Sequence, residues 1–164
     1  MSAKPGDPAP AFDVVLVGGG FRRLPDVVEP GGGIVVFFKS DCETSRLVVP
    51  RLGPLARALA DEGRLFLVVA QEDEAGARRF QEELGVPGVL SWEKAPYAAS
   101  ADYGIESVPT LFVIDGAGVI AERVEGFVKR EYLALGEGIE QALALGDVPP
   151  VLERAEELPE WKPG

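Results

Sequence analysis

The sequence predicts an α/β fold with a central mixed sheet flanked by helices. Three observations carry this reading. Apolar runs alternate with amphipathic segments, the pattern of strands joined by crossover helices. The runs "IVVFF" (34–38) and "RLFLVVA" (64–70) show no polar alternation, as expected of strands buried on both faces. "DGAG" (115–118) stands between two strand-like runs and marks a tight hairpin, hence an antiparallel edge.

Residues 1–10 are proline-rich and expected to be extended. "AFDVVLV" (11–17) predicts a short strand, and "GGGF" (18–21) turns it into a second, Phe21 to Leu24. The glycines at 31–33 release the chain into "IVVFF". From Glu43 to about Leu59, the residues Leu47, Val48, Leu52, Leu55, Ala56 and Leu59 recur at helical spacing. Pro50 and Pro54 lie inside that pattern, so the helix should kink or start in stages. "RLFLVVA" is the next buried strand. "DEAGARRFQEEL" (73–84) is an amphipathic helix stopped by Gly85, and "GVLS" (88–91) is strand-like. "PYAASADYG" (96–104) predicts a short helix, with proline in its first turn and glycine at its end. "TLFVID" (110–115) and "VIAERV" (119–124) form the hairpin, and "REYLALGEGIEQALAL" (130–145) is a closing helix. The order is therefore β β β α β α β α β β α. The expected organisation is one domain, residues 1–146, followed by a charged, proline-bounded tail, residues 147–164.

Composition removes many functions. The net charge is −11, from 27 acidic and 16 basic residues, which opposes nucleic acid and anionic membranes as partners. The chain has no histidine, so Ser/His, Cys/His and His-ligated metal mechanisms are excluded. A single cysteine, Cys42, excludes an intrachain disulfide and a thiolate zinc cluster. No dense carboxylate spacing suits magnesium or calcium, so neither a metal nor a cofactor is expected. "MSAKPGDPAPAF" lacks the apolar core of an export signal, and the expected location is cytoplasmic.

One stretch carries chemistry. A buried strand runs through "FFKSDCETSR" (37–46) into Cys42, and a helix is expected to open there. This segment resembles the "FWASWCGPCR" type of thioredoxin-like proteins, with Phe37, Ser40, Cys42 and Arg46 in matching places. "SVPTLFVID" (107–115) resembles the second thioredoxin signature, and "PGDPAPAFDV" (5–14) resembles the entry of the TlpA-like, redoxin (AhpC/TSA-like) branch. The strand and helix between residues 66 and 91 resemble that branch's βα insertion, and the segment before residue 24 its N-terminal β extension. The resemblance covers about residues 5–146. It implies a nucleophilic Cys42 and a cis-proline, Pro109, facing it. It also implies that the backbone at Val108 can pair with an extended substrate.

The departures are specific. Ser45 stands where a dithiol site has its resolving cysteine, giving CxxS. Val36 replaces a commonly buried aspartate. Val35 and Lys39 replace the proline and threonine of the peroxidatic Pro-x-x-x-Thr-x-x-Cys run. At a helix N-terminus unpaired N–H groups favour the thiolate, and Lys39 would add to this. Asp41 and Glu43 oppose it. Ser45 is expected to donate its hydroxyl to the sulfur, but an alcohol cannot resolve a mixed disulfide. The reacting set is Cys42, Ser45 and Pro109, with Lys39, Asp41, Thr44 and Val108 around the substrate. The structural alternative is a core cysteine with ordinary solvated charges beside it. Phe80, Trp92, Tyr97 and Tyr103 are read as core or as a groove lining, and Trp161 as an apolar anchor for the tail.

The functional expectation is a single-thiol redox protein with an antioxidant role. Cys42 would exchange with protein or small-molecule disulfides, or reduce peroxide, and an external thiol reductant would recycle it. The alternative is a non-catalytic, chaperone-like module that pairs extended peptides beside Pro109.

Overall fold

The computed structural model describes residues 3–23 and 31–164. Strand β3 (Gly33–Phe38) is its centre, parallel to β4 (Leu65–Gln71) on one side and antiparallel to β6 (Thr110–Ile114) on the other. Beyond β4 lies β5 (Val89–Glu93), parallel to it, and β1 (Asp13–Leu16) adds antiparallel to β5. With β2 (Phe21–Arg23) and β7 (Ile120–Glu125) at the edges, the mixed sheet has the order β2-β1-β5-β4-β3-β6-β7. Leu24, expected to end β2, lies outside the described residues.

The unalternating sequence of β3 has a direct cause, because every residue of the strand is buried. Ile34, Val36 and Phe38 face one layer, and Val35 and Phe37 the other. The first layer is built by α1 (Glu43–Val48), α2 (Gly53–Asp61), α3 (Glu74–Leu84), α5 (Lys129–Leu133) and α6 (Leu135–Leu143). The second holds α4 (Ala98–Asp102) and the N-terminal segment, around Phe12, Phe37, Tyr103 and Phe112. The ring of Tyr103 lies 5.0–5.5 Å from the other three. Full burial of each such side chain contributes about 1.5–3 kcal/mol.

The prolines act as expected. α1 ends in a 3₁₀ turn, Val49–Leu52, that contains Pro50, and α2 restarts with Pro54 in its first turn. Two elements differ from expectation. The closing helix is interrupted at Ala134, whose ψ of −9° departs from the helical value, leaving α5 and α6. α4 begins only at Ala98, because Tyr97 takes a left-handed conformation with φ 58°.

Residues 147–164 lie against the body. Val151, Leu152 and Leu158 are buried in the layer of α2 and α6, and Arg51 donates to the carbonyls of Glu153 and Arg154, each at 3.0 Å. Strand β9 (Trp161–Lys162) pairs antiparallel with β8 (Phe127–Val128). The anchor expected of Trp161 is not made, since its residue is 63% exposed and the three aliphatic side chains hold the segment instead.

Candidate functional site

The parallel register of β3 and β4 delivers the chain to the site. β3 ends at Phe38, opposite Ala70, so the turn 39–41 leaves the sheet beside the end of β4. There Glu72 receives two hydrogen bonds from Ser40, from N–H at 2.9 Å and from the hydroxyl at 2.5 Å. Arg46 reaches back from α1 to the Ser40 carbonyl at 3.1 Å, while also pairing with Glu83 at 2.9 Å. The turn is thus held from both flanks. Glu72 is absent from the residues expected at the site. Its signal is the register itself, which puts the acid following β4 next to the turn following β3.

Cys42 is the N-cap of α1, with φ −88° and ψ 117°. Its sulfur takes the role usually played by a serine, threonine or aspartate oxygen, accepting the Ser45 N–H at 3.4 Å. Its thiol donates to the Val108 carbonyl at 3.4 Å. The residue is half-buried. Val108–Pro109 is a cis peptide bond. Its turn is fixed by the Thr110 hydroxyl on the Ser107 carbonyl at 2.7 Å and by Gly126 N–H on the Pro109 carbonyl at 2.8 Å. Residues 42, 45, 108 and 109 therefore meet at one place.

Three expected roles change. The Ser45 hydroxyl does not serve the sulfur. Side chains on a helix lean toward its N-terminus, and this buried oxygen accepts the Lys39 N–H at 3.4 Å, leaving the main-chain N–H to face Cys42. Thr44 does not face substrate. It is 2% exposed and its hydroxyl donates to the Pro163 carbonyl. Lys39 is half-buried, and the contact it makes here runs through its backbone. Asp41 is exposed at the rim. Val36 is wholly buried among apolar side chains, so its position supplies no carboxylate under the sulfur. Phe80 and Tyr103 are core residues, and Trp92 packs at the edge of the first layer. Among the described residues, no three carboxylate or sulfur ligands cluster where a metal ion could sit.

A mixed sheet with this order, and a lone sulfur opening a helix opposite a cis-proline turn, defines a thioredoxin-like fold. The chain belongs to the AhpC/TSA family, whose profile matches residues 5–123. It is similar to the thiol:disulfide interchange protein DsbE of Pseudomonas aeruginosa, 30% identical over 132 residues, covering 79% of this chain and 71% of that protein. Among solved structures, a candidate thiol:disulfide interchange protein DsbE from Chlorobium tepidum superposes with a TM-score of 0.77 at 23% identity, covering 87% of this chain and 99% of that one. The thioredoxin domain of a thiol-disulfide oxidoreductase from Bacteroides vulgatus gives 0.69 at 19% identity, covering 87% and 97%.

Proposed function

We propose that the protein is a single-thiol thiol–disulfide oxidoreductase acting through Cys42. The observation that supports this most is the position of the sulfur, half-buried at a helix start between the Ser45 N–H and the Val108 carbonyl. The thiolate attacks one sulfur of a disulfide R–S–S–R′, forming Cys42–S–S–R and releasing R′S⁻. The Ser45 N–H stabilises sulfur that carries negative charge. Ser45 offers no second sulfur, so the thiolate R″S⁻ of an external thiol attacks the mixed disulfide, yielding R–S–S–R″ and the Cys42 thiolate. With peroxide ROOH, the same thiolate would become a sulfenic acid with loss of RO⁻, which takes a proton from water, and two equivalents of thiol would return it through a mixed disulfide and water.

The similarity to thiol:disulfide interchange proteins supports this chemistry, with an external low-molecular-weight or protein thiol as the reductant. The test is turnover of a small dialkyl disulfide with an excess of monothiol. The native chain should turn over and form one mixed disulfide at Cys42, and Cys42→Ser should do neither. A native chain as inert as Cys42→Ser would leave the non-catalytic peptide-binding reading in its place.

A further inference from the structure

The segment that follows β9 continues past β8 toward Cys42. Lys162 pairs with Glu43, the residue after the cysteine, at 3.2 Å. The Pro163 carbonyl accepts the Thr44 hydroxyl. Gly164 then lies against the backbone of the cis-proline turn. A Cβ built on it would stand 2.7 Å from the Val108 carbonyl oxygen and 3.1 Å from Ser107 Cβ. Residues 162–164 thus cross from the first turn of α1 to Val108, along the line between the helix bearing Cys42 and the turn bearing Pro109.

We infer that residues 161–164 form a strap lying in the lane where an extended polypeptide would pair, and that the protein in this state selects small disulfides over peptide ones. This rests on the single-thiol reading above. The selection follows from what the strap covers. It crowds the Val108 backbone, the edge a peptide would use, whereas a compact molecule needs only to reach the half-buried sulfur. The holding forces are modest: one partly exposed ion pair, one hydrogen bond and a two-residue strand pairing. The strap can therefore be displaced without unfolding the body, and a peptide substrate must compete with it.

The experiment compares two disulfides with the same leaving group, 2,2′-dithiodipyridine and an uncharged decapeptide whose single cysteine is a pyridyl disulfide. Each transfers its thiol half to Cys42 and releases pyridinethione, which absorbs light. The native chain should react readily with the small disulfide and slowly with the peptide. Lys162→Glu places like charges beside Glu43, and Gly164→Val puts a side chain against the Val108 carbonyl, so the strap should leave. In the double variant the peptide-to-small rate ratio should rise about tenfold, the shift expected from losing one ion pair and the contacts at Val108. Thr44→Val removes the hydroxyl anchor independently and should raise the ratio in the same direction. An unchanged ratio in both variants, with dithiodipyridine still labelling Cys42, overturns the strap and leaves the single-thiol reading standing. Failure of dithiodipyridine to label the native chain overturns both.

Discussion

The Cys42 thiol donates to the Val108 carbonyl at 3.4 Å, joining residues 66 apart in the chain. That bond ties the start of α1 to the Pro109 turn, so the sulfur and the backbone edge beside it are set by one contact. The Val108 carbonyl is also the atom against which Gly164 packs, so residue 164 and the Cys42 sulfur share one neighbour.

Restoring a second sulfur tests the local geometry. Residues 42 and 45 lie across the first turn of α1, with the Ser45 N–H already 3.4 Å from Sγ. Ser45→Cys should close an intrachain disulfide on mild oxidation, a spacing compatible with disulfide geometry. Mass spectrometry should show the loss of two hydrogens, where the native chain adds a partner. Two free thiols after oxidation would show that the side chains at 42 and 45 do not converge.

Glu72 should stabilise the turn that leads into Cys42. Glu72→Ala leaves the Ser40 N–H and hydroxyl without their acceptor, a loss of about 2 kcal/mol for hydrogen bonds to a charged group. Thermal unfolding should fall by roughly 4–8 °C for a domain of this size. Glu72→Gln, which keeps one acceptor oxygen, should lose less.

The aromatic layer gives a stability prediction of another size. Phe37 is fully buried between the rings of Phe12, Tyr103 and Phe112. Phe37→Ala should cost about 3–5 kcal/mol in denaturant unfolding, because the sheet cannot close over the cavity.

Alkali should weaken the fold. Burial, aided by the neighbouring carboxylates of Asp102 and Glu131, pushes the Tyr103 and Tyr132 hydroxyls above the ordinary tyrosine value. Raised folded values mean that the native state holds protons the unfolded chain has released. This stability is therefore complete below about pH 10 and declines as pH rises beyond it. Denaturant midpoints should fall above that pH, and Tyr132→Phe should flatten the decline. The same variant also gives up the hydrogen bond to the Gly126 carbonyl.

Much of this arrangement is legible in the sequence where the cause is local. β3 reads as buried on both faces because no position of "IVVFF" meets water, and Pro50 and Pro54 mark the staging of α1 and α2. Cys42 and Pro109 stand out by their motifs. The contacts that refine the site depend on how the chain turns back on itself and have no signature in the motifs. Thr44 reads as substrate-facing until Pro163 returns over it from 119 residues away, and the Ser45 hydroxyl reads as a thiol partner until the fold brings Lys39 N–H beneath it. The break at Ala134 carries no proline to announce it.

The claim that Cys42 is a placed nucleophile is tested most directly by its alkylation with iodoacetamide at neutral pH, native against urea-unfolded chain. The Ser45 N–H on the sulfur predicts that the native chain reacts faster than the unfolded one, although the residue is half-buried. A native sulfur that reacts more slowly than the unfolded one would contradict the account and return Cys42 to the core.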